Sequence, residues 1–173
     1  HAKTEMREHD DIIINARAET LFEKPAFQEA AKYNRCLIPA DGFYEWQSRG
    51  DRKIPLHLGR KDDQPFAFAG IWHERISPSG HKSYSCAIVT THANTLMEKF
   101  HARMPVILTR EAEDVWLDPL VTIEANLAPL LVPYETDDMV AYEVSKIVNS
   151  PHNDTPEMIF PVSSAPYQMR LME

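Results

Sequence analysis

The sequence runs to 173 residues, with 43% hydrophobic and 25% charged side chains and a formal net charge of −8 at pH 7. That length suits one domain with a sizeable core, and no apolar run is long enough to span a bilayer. The acidic balance weighs against a broad basic footprint for nucleic acid, although arginines stand beside several polar residues singled out below. No basic, apolar leader opens the chain, so the expected location is the cytoplasm.

The opening, His1 to Asp11, is polar and patternless, and Ile12-Ile13-Ile14 then reads as a buried strand. Such a strand needs neighbours that would come earlier in a complete domain. Lys24 to Tyr33 predicts a helix, with Pro25 in its first turn and Ala26, Phe27, Ala30 and Ala31 on one apolar face. Arg35 to Trp46 predicts a strand, a tight turn at Pro39-Ala40-Asp41-Gly42, and a second strand. Ser48 to Asp51 is a hairpin connection into a strand over Ile54 to Leu58. Polar turns then separate strands over Phe66 to Trp72 and Tyr84 to Thr90. Cys36 and Cys86 fall in these apolar stretches and are expected as buried thiols in a reducing compartment.

Asn94 can cap a short helix through Phe100, and Met104 to Leu108 returns to an extended form. Thr109 predicts an N-cap for a helix through Leu117, with Glu111, Glu113 and Asp114 in its first turns. Thr122 to Leu131 predicts a further helix, Met139 to Val144 a strand, and the stretch from Asn149 a loop. The class is α+β: a curved, largely antiparallel, barrel-like sheet flanked by short helices. No linker or repeat divides the chain, so residues 1–173 are expected to form a single domain.

Three polar positions interrupt apolar surroundings: Asn15 with Arg17 after the Ile triplet, Glu45 among aromatics, and His101 with Arg103 after the short helix. A carboxylate in an apolar strand is costly unless it is paired, hydrogen-bonded or protonated. Each position also has a plain structural account. Asn15 could satisfy a turn, Glu45 could pair with Arg17 or Arg103, and His101 could be an ordinary histidine. No metal is expected, since the eight histidines form no HxH or HxxxH pair and the two cysteines no CxxC. No Gly-rich phosphate loop and no GxSxG elbow is present, and no cofactor is expected.

Asn15-Ala16-Arg17-Ala18-Glu19-Thr20, then Arg35 through Trp46, then Phe100-His101-Ala102-Arg103-Met104-Pro105-Val106 resemble the successive motifs of the SRAP family, the SOS response-associated peptidases. Phe66 to Trp72, Cys86 to Thr91 and Asn149-Ser150-Pro151 also match, and the likeness covers nearly the whole chain. The resemblance implies the SRAP fold and covalent crosslinking to abasic sites in single-stranded DNA. The reagent would be an N-terminal cysteine bearing both a free amine and a thiol, which together close a thiazolidine on the abasic aldehyde. It further implies removal of the initiator Met by self-cleavage, and a weak lyase side reaction. Asn15 would position the amine, Glu45 would move protons, and His101 would assist sugar ring opening. Arg17 and Arg103 would bind the phosphates beside the lesion. The expected partner is single-stranded DNA with abasic sites, bound by a monomer, with no membrane involved.

The chain departs from the family in one respect: it begins at His1, where the family begins Met-Cys-Gly-Arg. Cys36 and Cys86 have no free α-amine and cannot substitute, so the chain by itself is expected to be inactive in crosslinking. Two other readings stay open at this level. One is a non-catalytic single-stranded DNA-binding module. The other is a small-molecule or peptide hydrolase using Glu45 and His101.

Overall fold

The computed structural model describes residues 13–162, so Ile12 and the polar opening lie outside the described residues. Among these, nine strands form two sheets. They are β1 (Asn15–Arg17), β2 (Arg35–Ala40), β3 (Phe43–Arg49), β4 (Arg52–Arg60), β5 (Phe66–Ile76), β6 (Lys82–His92), β7 (Arg103–Pro105), β8 (Ile107–Leu108) and β9 (Met139–Glu143). The larger sheet runs β1-β6-β5-β2, with β7 added to β6 and β8 to β5; the smaller runs β3-β4-β9. All pairings are antiparallel except β1 with β6.

The chain passes between sheets at the Asp41-Gly42 turn, so β2 belongs to one and β3 to the other. Gly42 is required there by contact: an added Cβ would lie 2.2 Å from His57 Nε2 and 2.9 Å from the Leu58 carbonyl oxygen. The β3–β4 hairpin closes through Gly50 at φ 58°, a left-handed conformation that glycine adopts without steric cost. Farther on, Val106 bridges the gap where β5 and β6 diverge: Ala69 N–H donates to its carbonyl and its own N–H donates to Val89 O, both at 2.9 Å.

The larger sheet is apolar on both faces, which explains why its strands read as continuous hydrophobic runs. One face carries Ala16, Ala69, Ile71, Val89 and Leu108, buried against Phe27, Ala30, Trp116 and Leu127. These last come from α1 (Gln28–Tyr33), α2 (Arg110–Leu117), α3 (Glu124–Leu127) and the turn before α1. The other face carries Ile38, Phe68 and Ile88, which pack with Leu56, Leu58 and Ala141 of the smaller sheet. Leu56 and Leu58 are fully buried, each worth about 1.5–3 kcal/mol against exposure.

The expected α+β class with a curled sheet and short helices is what the chain forms. Thr109 caps α2 as predicted, its hydroxyl accepting the Ala112 N–H at 3.3 Å. Several elements differ. The helix over Lys24 to Tyr33 starts only at Gln28, because Lys24 O accepts N–H bonds from both Phe27 and Gln28 in a preceding turn. The helix after Asn94 is a 3-10 turn, Met97–Lys99, and Thr122 to Leu131 divides into α3 and a 3-10 turn at Ala128–Leu130. The strand expected at the Ile triplet begins one step later, at Asn15, and Ile13 and Ile14 are exposed. Cys36 is half-buried and Cys86 exposed, because Lys82 to Cys86 has β5 on one side and no described strand on the other. Burial, and then the nearby Cys86, push the Cys36 thiol up from its ordinary range.

Candidate active site

Side chains directly opposite one another on paired strands share a face, so register decides where each candidate points. Asn15 lies opposite Ile88 and Arg17 opposite Thr90, whereas Ala16 between them lies opposite Val89 and is fully buried on the helix side. Asn15 and Arg17 therefore share the face of Ile88, which packs toward the smaller sheet, and both are exposed. Glu45 on β3 lies opposite Leu56, which lies opposite Glu143 on β9. Phe43 and Leu58, one step along, and Leu56 itself belong to that same inter-sheet cluster. Asn15 and Arg17 from one sheet and Glu45 from the other thus stand on the two faces that pack together.

Glu45 is half-buried rather than enclosed, and Oε1 accepts the Trp46 N–H at 3.0 Å. Among the described residues it has no ion pair, so the structural pairing with Arg17 or Arg103 does not occur. Trp46 is itself tied down: its indole N–H donates to Asn149 Oδ1 at 2.8 Å, bringing the Asn149-Ser150-Pro151 segment against β3.

His101 is exposed and held from one side. Its Nδ1 lies 3.1 Å from the Arg103 N and 3.0 Å from the Arg103 O, so Nε2 is the outward nitrogen. The loop that presents it is anchored by Asn94, which is buried. Asn94 Oδ1 accepts the Met97 N–H at 2.9 Å and Nδ2 donates to Tyr134 O at 2.7 Å. His101 N–H then donates to Met97 O at 2.9 Å.

Arg103 is the most engaged of the candidates. Nη1 donates to Glu19 Oε1 at 3.0 Å, and Nη2 to Glu19 Oε2 at 2.9 Å and to Thr90 O at 2.6 Å. Nε is 3.3 Å from Thr90 Oγ1. The guanidinium holds the Glu19 carboxyl below the usual carboxylate range. Glu19 and Thr90 are the site neighbours that sequence reasoning missed. Glu19 stands inside the quoted Asn15–Thr20 motif, but nothing local shows that its partner lies 84 residues away. Among the described residues no group of three or more His, Cys, Asp or Glu side chains gathers as metal ligands would. Nor is any described helix long and apolar enough to cross a membrane.

Residues 1–151 match the family model for SOS response associated peptidase (SRAP). The chain is 51% identical over 148 residues to the abasic site processing protein YoqW of Bacillus subtilis, covering 85% of this chain and 66% of that protein. It is 30% identical over 151 residues to the abasic site processing protein YedK of Escherichia coli, covering 87% and 68%. To the abasic site processing protein HMCES of Gallus gallus it is 32% identical over 169 residues, covering 86% and 50%. Among solved structures, a Bacteroides thetaiotaomicron protein superposes with a TM-score of 0.80 at 36% identity, covering 86% of this chain and 66% of that one. The chain therefore spans about two-thirds or less of the length of these relatives, and it belongs to the SRAP family.

Proposed function

We propose that this domain, as part of its full-length protein, processes abasic sites in DNA by binding single-stranded DNA as a monomer in the cytoplasm and joining to the lesion covalently. The names of its relatives point to abasic sites. The observation that carries the reading is the register that sets Asn15 and Arg17 on one sheet against Glu45 on the other, around one apolar cluster.

The chemistry is amine and thiol addition to an aldehyde. The α-amine of an N-terminal cysteine adds to the ring-opened sugar and loses water to give an imine. The neighbouring thiol then adds to the imine carbon, and its proton passes to nitrogen as the five-membered ring closes. Both nucleophiles sit on one residue, so the second step is intramolecular and gains the corresponding effective concentration. That cysteine is not among the residues of this sequence. This chain contributes the surroundings. Asn15 would orient the amine, and Glu45 would carry protons to and from nitrogen. His101, through its outward Nε2, would protonate or deprotonate the sugar oxygens. Arg17 offers an exposed planar fork to a phosphate, while Arg103 has one Nη1 hydrogen beyond its bonds to Glu19 and Thr90. The same amine and carboxylate suit self-removal of an initiator Met, and an imine that eliminates the 3′ phosphate would account for weak lyase activity.

The test uses the full-length protein with intact and abasic oligonucleotides, read on denaturing gels. A covalent species with abasic strands alone is expected. Equal non-covalent binding to both would instead favour a plain DNA-binding module, and turnover without adduct a hydrolase. In the same assay Glu45→Gln or His101→Ala should slow adduct formation by roughly 10²–10⁴-fold. Unchanged rates in both would overturn their roles.

A further inference from the structure

β1 and β7 are each only three residues long. They nevertheless carry or adjoin Asn15, Arg17 and His101, which the proposed reaction requires to hold still. Strands that short form few ladder bonds and are weakly held by pairing alone. They meet β6 from opposite sides at one residue, Thr90, which lies opposite Arg17 on β1 and Pro105 on β7. Over that residue runs the bidentate bond between Arg103 of β7 and Glu19 of the 3-10 turn that directly follows β1, at 3.0 and 2.9 Å. Two parallel charge-assisted bonds fix orientation as well as distance. The same guanidinium reaches Thr90 O at 2.6 Å, so the two outer segments and the strand between them are fastened together.

Arg103 also holds His101. In the β6–β7 ladder Ala93 N–H donates to Ala102 O at 3.0 Å, which leaves the next pair, His92 with Arg103, as a pair not bonded to each other. The Arg103 N–H and C=O accordingly turn away from β6, and both lie within hydrogen-bond distance of His101 Nδ1. When Nδ1 accepts the Arg103 N–H, the neutral ring carries its proton on Nε2, which then donates a hydrogen bond. When Nδ1 donates to the Arg103 carbonyl, Nε2 is a base while its lone pair is free and an acid once it carries a proton. One clasp therefore supports either role at the outward nitrogen without moving the ring.

We propose that Glu19 is a positioning residue of this site: by gripping Arg103 across Thr90 it fixes the clasp on His101 and ties the strand of Asn15 and Arg17 to the strand beside His101. What His101 does with its proton rests on the function proposed above, but the clasp itself can be read without DNA.

The experiment is nuclear magnetic resonance on the wild-type chain and on Glu19→Gln, following the ring nitrogens of His101 and hydrogen exchange at the Arg103 amide, with melting temperature measured alongside. Glu19→Gln keeps the shape and removes the charge of a side chain that is 48% exposed. The expected result is about tenfold faster exchange at the Arg103 amide and His101 ring signals displaced toward those of a free imidazole. Glu19→Asp, which keeps a carboxylate, should restore part of both. Unmoved ring signals and exchange, with or without a lower melting temperature, would overturn the proposal. Were Glu19→Gln to fail to fold, wild type at low and at roughly 1 M salt decides: screening weakens an exposed ion pair, so signals that move with salt uphold the proposal and signals that stay overturn it. A full-length protein that ignores abasic sites would overturn the proposed function and leave this result standing.

Discussion

Arg35 donates to Trp116 across the boundary between β2 and α2, and Trp116 donates back to the next residue of β2, Cys36. Arg35 Nε donates to Trp116 O at 2.5 Å, and the Trp116 indole N–H donates to Cys36 O at 3.1 Å. The guanidinium carbon lies 5.5 Å from the centre of the indole, within cation–π range. Arg35 does more than fasten this pair. Nη1 reaches Ala31 O at 3.0 Å and Lys32 O at 2.5 Å at the end of α1, and Nη2 reaches Asp118 O at 2.6 Å just past α2. One cation thus satisfies the orphan carbonyls at the C-termini of two helices, where the helix dipole also favours positive charge.

Arg35→Ala is expected to destabilise the domain by about 3 kcal/mol or more. It removes several bonds from a charged donor, each worth roughly 1.5–3 kcal/mol before relaxation and rehydration of the exposed carbonyls reduce the sum. Arg35→Lys should recover only part of this, because an ammonium cannot present the planar fork that reaches both helix ends. Urea denaturation checks both. A loss under about 1 kcal/mol for the alanine variant would mean that water replaces the guanidinium without cost.

The same residue marks how far the sequence was legible. What depends on neighbours within a few residues was readable: Thr109 as the cap of α2, Gly50 in the hairpin, and the strand-turn-strand reading of Arg35 to Trp46. What depends on distant pairing was not. The Ile triplet has strand chemistry, but β6 pairs with Asn15–Arg17, taking from Ile14 only its carbonyl, which accepts the Ile88 N–H, and the side chains of Ile13 and Ile14 stay exposed. Cys86 reads as buried because it lies in an apolar run, and only the sheet order shows that no described strand covers it on the side away from β5. At the site, sequence identified the polar residues that break apolar patterns. It gave no sign that the Arg103 fork is occupied by Glu19, because neither residue breaks a pattern that the other explains.

His57 supplies a dependence on pH. It is buried on the outer side of the smaller sheet, stacked on Tyr142 at 5.1 Å and edge-on to Tyr44 at 5.7 Å, with Gly42 against its ring. Nδ1 has no hydrogen-bond partner among the described residues. Burial lowers its pKa below the ordinary 6.5, and the carboxylates of Asp41 and Asp63 offset this only in part. The folded form therefore holds His57 neutral where the unfolded chain would protonate it. Its stability contribution is complete above pH 6.5 and is lost as pH falls from there through the lowered value. Urea midpoints measured across pH 5–8 should fall on the acid side for wild type. His57→Gln should be less stable at neutral pH yet show a flatter acid limb in that window. An unchanged slope in the variant would assign the acid sensitivity to other groups.

Arg17 and Arg103 look equivalent in sequence, two arginines each two residues beyond a polar candidate, but their surroundings separate them. Arg17 is exposed on the face it shares with Asn15, with no ion pair among the described residues. Arg103 is neutralised by a bidentate carboxylate and has a side chain only 23% exposed. A phosphate bound by Arg17 would release its counterions to solvent in full, whereas at Arg103 it would have to share a cation that Glu19 already holds. Arg17→Ala should therefore lower the slope of log affinity against log salt for a single strand by about 0.7, the share of one phosphate contact. Arg103→Ala should change that slope less and should instead lower thermal stability, since it leaves Glu19 and the Thr90 carbonyl without their partner. Fluorescence anisotropy with a labelled single strand over a salt series reads the first effect, and thermal melts without DNA read the second. A full unit-contact loss of slope in Arg103→Ala, with melting unchanged, would show that phosphate displaces Glu19 when DNA binds.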